Sequence, residues 1–372
     1  MSKVVYLMGA GASRGHRGRD ADGKEDPSYI TEGLPIVKEI PKRLDIIASK
    51  YADLKYDEGT LFEKQTVPVD LGKAKKNLVE GLHWLRANSE KSTIDTFAKQ
   101  LMLTEQIDDY IKLKRLLSIF LLTEQFVNRP DSRYVNFLTS VLQRNGDGRL
   151  RITDEITILT WNYDSQFDIA YKYFLSAGQN PEKIDFPEQL GIDIHNSYNT
   201  RKKVSGHPDD GRRQIFKING SASFVADYSL AHFYEYRNGN LSDELAKTLL
   251  WTYDASYYIG AERPERKCLL NFAWDKQEEE FEKEYNHRLL DAIKDATALV
   301  IIGYTFPFFN RETDTMLLKG MQNLQNVYIQ DKFPKTVKQS FVPILQKAGH
   351  KIDVNDIQLY DDTTQFFLPP EL

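Results

Sequence analysis

The chain has 372 residues, enough for one large or two medium domains with a substantial core. Its 41% hydrophobic and 12% aromatic content fits a folded protein, and a net charge of −5, from 54 acidic and 49 basic residues, leaves no global nucleic-acid footprint. A single cysteine, Cys268, excludes an intrachain disulfide and a cysteine-based zinc site, and no apolar run reaches the roughly eighteen residues that span a bilayer.

The chain opens with a short apolar run, Lys3–Met8, ending in Gly9-Ala10-Gly11-Ala12-Ser13. This predicts a buried first strand of a parallel sheet, a tight turn and a phosphate-holding loop, because glycines let backbone N–H groups approach a pyrophosphate. The apolar stretch is too short for a signal peptide, so an intracellular, cytoplasmic protein is expected. A dinucleotide fingerprint of the dehydrogenase type is disfavoured, since its third glycine position is Arg14 and no acidic residue follows a second strand at the required distance. No G-x-x-x-x-G-K-[ST] is present either. Arg14 to Gly33 lacks apolar periodicity and reads as a long mobile loop able to close over a nucleotide, ending at Gly33-Leu34-Pro35 before a helix at Ile36–Lys50.

From Ile36 to Arg149 the pattern is helical. Ala74–Ala87 carries apolar residues at helical spacing, and in Glu105–Phe126 the residues Ile107, Ile111, Leu113, Leu117, Phe120 and Leu121 define an apolar stripe. Ser92-Thr93-Ile94-Asp95 predicts another helix start, capped by Ser92 or Asp95. Asn145-Gly146-Asp147-Gly148 is a turn closing the block. The block reads as an insertion packed on the sheet, spanning 45–150 of a single domain that covers 1–372.

A second buried strand, Glu155–Thr160, precedes Trp161-Asn162-Tyr163-Asp164. Polar residues there sit at the carboxyl edge of a parallel sheet, where α/β proteins bind ligands. Asp164 doubles as a cap for a helix at Ser165–Leu175. The region 176–296 reads as an irregular mixed insertion, with a basic-polar cluster at Thr200–Lys203 and a short strand at Arg213–Ile218 leading into Asn219-Gly220-Ser221. Gln277–Ala296 is an amphipathic helix. Ala298–Gly303 is the cleanest buried strand and ends in Tyr304-Thr305-Phe306-Pro307. Asn326–Ile329 repeats the arrangement with Gln330-Asp331, and Lys335–Leu372 reads as a helix, a short strand and a tail. Five strands thus end in polar or glycine turns on one sheet edge, long enough for a dinucleotide. The expected fold is α/β, a Rossmann-like parallel sheet flanked by helices with a large helical insertion after the first strand.

The five turns, in this order, resemble the sirtuin family of NAD-consuming enzymes. Gly9-Ala10-Gly11-Ala12-Ser13 looks like its pyrophosphate turn, and Gly33-Leu34-Pro35 like the end of its cofactor loop. Thr160-Trp161-Asn162-Tyr163-Asp164 is similar to its Thr-Gln-Asn-Ile-Asp catalytic turn, Gly303-Tyr304-Thr305 to its Gly-(Thr/Tyr)-Ser turn, and Gln330-Asp331 to its adenosine-ribose edge. Ser92-Thr93-Ile94-Asp95-Thr96-Phe97 and the run Val300 to Asp314, with Phe306-Pro307-Phe308-Phe309-Asn310-Arg311, resemble the bacterial antiphage branch. That branch hydrolyses NAD+ to ADP-ribose and nicotinamide to exhaust the infected cell.

The resemblance implies NAD+ as substrate and no metal, with Asn162, Asn219 and Asp164 as catalytic positions. It implies that Gly9, Ala10, Gly11, Ala12, Ser13, Pro35, Gly220, Ser221, Gly303, Tyr304, Thr305 and Asp331 bind the dinucleotide. It further implies an effector activated by a separate sensor protein (an ATPase or nucleotide-sensing subunit), in a homo- or hetero-oligomer, with neither nucleic acid nor membrane as partner. One cysteine cannot supply the four-cysteine zinc module of the family's deacylases. The family's catalytic histidine falls in a His-Gly-Ser turn, which here is Asn219-Gly220-Ser221. An amide cannot act as general base near neutrality, a loss worth about 10²–10⁴ in rate, yet nicotinamide leaves neutral and needs no general acid. Either hydrolysis survives Asn219, or His16, His195 or His207 reaches the site from a loop. A catalytically silent NAD- or ADP-ribose-binding subunit regulating a partner is the alternative, and a solely structural subunit would leave the aligned turns unexplained.

Overall fold

A computed structural model describes residues 3–64, 67–144, 146, 149–175, 189–195, 213–224, 239–258, 268–275 and 279–372. Seven parallel strands form the central sheet: β1 (Lys3–Met8), β2 (Ile156–Thr160), β3 (Ile192–Ile194), β4 (Ile215–Lys217), β5 (Ala296–Ile302), β6 (Asn326–Gln330) and β7 (Gln358–Tyr360). Their spatial order is β7-β6-β5-β1-β2-β4-β3, so the fold is α/β and Rossmann-like. The chain moves to one side of β1 with β2, then returns to the other side with β5. The strand order therefore reverses at the β1/β5 boundary, and the crevice beyond those carboxyl ends is where such sheets bind ligands.

The near-continuous apolar runs of β1, β2 and β5 follow from burial on both faces. Alternate residues point to opposite faces. Val4, Tyr6 and Met8 pack with Tyr134, Phe137 and Phe167, while Val5 and Leu7 pack with Leu289, Ile293, Leu317 and Phe341. The first face is covered by α5 (Ser132–Val141) and α6 (Gln166–Tyr171), and the second by α8 (Glu279–Ile293), α9 (Arg311–Gly320) and α10 (Pro334–Ala348). A third core joins α1 (Ile40–Ala52), α2 (Leu71–Ser89), α3 (Ile94–Leu103), α4 (Ile107–Val127) and α7 (Asp243–Tyr258) to Phe224 and Leu270. Those two residues lie in an antiparallel pair, Gly220–Phe224 with Cys268–Leu270, which leaves the main sheet after β4.

Three local expectations are corrected. Arg14 to Gly33 is not an open loop: Arg17–Arg19 and Glu25–Ile30 pair as an antiparallel hairpin. Buried Arg17 anchors it, donating to the Glu39 carboxylate at 2.6 Å and to the Leu34 carbonyl at 2.7 Å. The cap of α3 is Thr93, whose side chain accepts from the Thr96 amide, and not Ser92 or Asp95. On α4, Ile107 and Ile111 of the apolar stripe stay exposed, whereas Leu113 and Leu116–Val127 are buried. That burial includes Glu124, which receives both Nε and a terminal nitrogen of Arg43 at 2.8 and 2.9 Å. An ion pair thus replaces the polar face that periodicity leads one to expect. The turn at Asn145–Gly148 is described only at Gly146.

Candidate functional site

The turn after β1 is fixed by backbone. Gly9 N–H donates to the Ile302 carbonyl at 3.0 Å, Gly11 N–H to the Gly303 carbonyl at 2.9 Å, and Ala12 N–H to the Gly9 carbonyl at 2.9 Å. A Cβ on Gly9 would lie 2.7 Å from the Gly303 oxygen, and one on Gly11 2.7 Å from the Gly303 Cα. The glycines thus permit the β1 and β5 turns to touch main chain to main chain. Gly303 itself has φ +58°, and a Cβ there would meet the Ala12 nitrogen at 2.3 Å. Ala10 is exposed at this edge, and Gly11 partly so.

Asn162 joins the β2 turn to this frame. Its Nδ2 donates to the Gly9 carbonyl at 2.9 Å and to Ser13 Oγ at 3.0 Å, and its own N–H donates to Thr160 Oγ1. Ser13 is buried and also lies 2.6 Å from the Tyr134 hydroxyl, so its side chain points into the protein. Arg133 reaches the Ala12 carbonyl at 3.0 Å from below. Leu34 N–H donates to the Ser13 carbonyl at 2.7 Å, which lays Gly33-Leu34-Pro35 against the turn with Pro35 buried. Asp164 accepts from the Gln166 backbone amide at 3.1 Å, but the N-cap of α6 is Ser165, so Asp164 sits one residue ahead of the cap. Burial pushes its carboxyl up, opposed by the Lys217 charge and a hydrogen bond to Ser13.

Lys217 is the residue the sequence reading passed over. It is buried at the end of β4, and its Nζ donates to the Asp164 carbonyl, to the Tyr163 carbonyl at 3.4 Å and to Ser221 Oγ at 3.2 Å. A lysine in the apolar run Ile215-Phe216-Lys217-Ile218 was the available signal, because a buried ammonium requires partners. Ser221 Oγ also donates to the Tyr163 carbonyl at 3.2 Å, so Lys217 and Ser221 together hold the backbone of the Asn162–Asp164 turn.

Asn219 is buried beside Tyr163, with Nδ2 3.4 Å from the Tyr163 hydroxyl and Oδ1 buried without a partner. Gly220 has φ +73°, and a Cβ there would fall 1.9 Å from the Leu269 carbonyl, so the Gly in this turn answers a backbone collision. Beyond Tyr163 lies a second polar group: Asp275 accepts from Tyr110 at 2.5 Å, from Lys114 at 2.8 Å and from the Phe272 amide at 2.9 Å. Desolvation, with the nearby charges of Asp95 and Asp275, holds the Tyr163 hydroxyl far above its ordinary range, so it stays a donor.

On the β5 side Tyr304 is buried, stacks on Trp161 at 5.8 Å, and donates to both Asp314 oxygens at 3.0 and 2.9 Å. Burial pushes Asp314 up to about 8. Thr305 is exposed, and buried Phe306 takes φ +56°, a left-handed conformation costly for a bulky residue. Asp331 is half-buried, accepts from the Phe333 amide at 2.8 Å, and is pushed up by burial.

The structure therefore brings Gly9, Gly11, Ser13, Asn162, Gly303 and Tyr304 into one contact system at the β1/β5 switch point. Asn219, Gly220 and Ser221 sit across Tyr163 from it, while Asp331 continues the edge at β6. Of the histidines, His195 follows β3, is buried edge-on against Tyr285 and lies 3.1 Å from Glu282. His16 stands exposed on the hairpin beside Glu32, and His207 lies outside the described residues. No group of three or more His, Cys, Asp or Glu able to hold a metal occurs among the described residues. None of their helices is long and apolar enough to cross a membrane. No family model, curated protein or solved structure matches this chain.

Proposed function

We propose that the protein binds NAD+ along the carboxyl edge of the sheet and hydrolyses it to ADP-ribose and nicotinamide. The observation that carries the reading is the meeting of the three turns after β1, β2 and β5 at the switch point, tied by Asn162 Nδ2 to Gly9 and by Gly11 to Gly303. Exposed Ala10 and Thr305 and partly exposed Gly11 front this edge, and Asp331 carries it towards β6 on the adenosine side. In the reaction the bond from ribose C1′ to the pyridinium nitrogen breaks, its electron pair stays on nicotinamide, and water adds at C1′. Asn162 orients the ribose hydroxyls or the attacking water, and Asp164 receives the carboxamide. Both roles suit side chains whose turn is braced by Lys217 and Ser221 and therefore needs little ordering when substrate arrives. The resemblance extends the proposal to a cytoplasmic antiphage effector activated by a separate sensor protein in an oligomer.

One observation favours a second reading, a silent NAD- or ADP-ribose-binding subunit: Asn219 stands where the family's base is expected, and an amide does not titrate. Nicotinamide release by the purified chain, alone and co-expressed with its neighbouring-gene product, separates the two. Hydrolysis predicts release in wild type and a loss of 10²-fold or more in Asn162→Ala, with the structure retained by circular dichroism. Binding of NAD+ without release in any state selects the silent subunit, and no binding at all rejects both.

A further inference from the structure

One buried acceptor at the carboxyl edge of the sheet has no donor. Asn219 is only 8% exposed, and its Oδ1 meets no hydrogen-bond partner among the described residues. Loop freedom does not explain this, because the backbone there is pinned on both sides. Ile218 N–H donates to the Thr160 carbonyl and Asn271 N–H to the Asn219 carbonyl, each at 2.9 Å. Asn219 Nδ2 reaches the Tyr163 hydroxyl at 3.4 Å, and that hydroxyl has no acceptor for its own proton among the described residues. Tyr163 is fixed as well, its carbonyl taking Ala222 N–H at 2.8 Å and Ser221 Oγ at 3.2 Å. Two held neighbours thus keep one unused donor and one unused acceptor side by side, at the turn that carries Asn162 and Asp164. Native proteins rarely leave such buried groups unsatisfied unless a ligand or water meets them.

We propose that Tyr163 and Asn219 recognise the carboxamide of the nicotinamide ring, Tyr163 O–H donating to its carbonyl and Asn219 Oδ1 accepting one of its N–H groups. The inference rests on the NAD+ binding proposed above. A primary amide is planar, with an acceptor and a donor side by side on one edge, and that edge is the complement of this pair. Its second N–H is left for Asp164. That carboxylate accepts from the Gln166 amide and Ser13, and with about four lone-pair sites it has room for another donor. The ribose has its own acceptor in Asn162, whose Nδ2 is engaged by Gly9 and Ser13 and whose Oδ1 is not. Burial holds the Tyr163 hydroxyl protonated, so the donor persists across the working pH range. An asparagine suits position 219 for the same reason, since its acceptor is not lost to protonation as that of a histidine is.

The test compares the affinity of the full chain, alone and co-expressed with its neighbouring-gene product, for NAD+ and for its 3-acetylpyridine analogue. In that analogue a methyl group replaces the amide nitrogen. Surface plasmon resonance suits the measurement, because flow replaces any ligand turned over. Wild type is expected to prefer NAD+ by about tenfold or more, since the analogue leaves Asn219 Oδ1 unpaired. Asn219→Leu and Asn219→Ala, each checked for folding by circular dichroism, are expected to cut that preference about fivefold or more. Tyr163→Phe is expected to weaken both ligands by about fivefold or more and to leave their ratio within about twofold of wild type, because the carbonyl is common to both. Equal affinities of wild type for the two ligands overturn the proposal. So do Asn219 variants that weaken both ligands alike, which is the signature of a structural residue, or a Tyr163→Phe chain with both affinities unchanged. Because the readout is binding, an absence of nicotinamide release bears on the hydrolase reading alone. A wild type that binds no NAD+ in either state overturns the NAD+ reading and the carboxamide pair with it.

Discussion

Asp95 and Asp314 are acids that burial holds protonated above the ordinary carboxylate range, at about 6 and about 8. In an unfolded chain both titrate near 3.9. Between these limits the folded state binds more protons than the unfolded state, so unfolding free energy falls as pH rises. The fall due to Asp95 runs from about pH 4 to 6, and that due to Asp314 continues to about 8. Urea titrations across this range are expected to show the decline, and Asp95→Asn to remove up to about 3 kcal/mol of it. Equal slopes in wild type and variant would remove the basis for a desolvated Asp95. At this scale the sequence was informative about residue type and blind to direction. Asn162 was legible as a polar residue at a strand end, but its bonds to Gly9 and Ser13 were not. Lys217 stands out in its apolar run, but its partners Tyr163, Asp164 and Ser221 emerge only from the fold.

The paired turns after β1 and β5 form the element on which the site depends. Gly303 must keep φ +58° while its neighbour Ala12 occupies the space a side chain would take. Gly303→Ala is expected to cost about 1–3 kcal/mol from the collision and roughly 1–2 kcal/mol more from the left-handed backbone. The urea midpoint measures it, and an unchanged midpoint would mean that the two turns separate readily. Strands β1, β2, β5 and β6 were legible because double-sided burial demands unbroken apolar runs of β-branched residues and leucine. Three-residue β3 was legible only as an unspecified short strand, and the hairpin at Arg17–Ile30 was not legible at all. Its stability comes from the distant Glu39, which no local pattern encodes.

At the scale of the molecule, the insertion core closes on Phe224 and Leu270, in the antiparallel pair that follows the Asn219 turn, while the sheet carries Asn162. A regulated effector, as proposed, would couple a shift of the insertion to the Asn219–Ser221 turn through that pair. Release of nicotinamide is accordingly expected only from an assembled state, with mass photometry run beside the activity assay. A fully active free monomer would contradict the regulated-effector reading. That the sheet is parallel could be read from its strand-ending turns. The way the insertion leans over that sheet could not, since it depends on long-range packing of Phe97, Tyr163 and Phe272.

Strand β1 lies at the centre of the sheet, yet it pairs with residues 156–160 on one side and 296–302 on the other. A ribosome adding about 5–20 residues per second would need roughly 15–60 s after β1 to produce both neighbours. Until residue 160 has been added, Val4, Val5, Tyr6, Leu7 and Met8 have no strand to pair with, and until residue 302 they pair on one side only, although each is buried in the finished protein. The nascent chain thus carries an adhesive apolar segment ahead of its own docking site. Its yield in cells should depend on how well chaperones shield that segment until the fifth strand emerges.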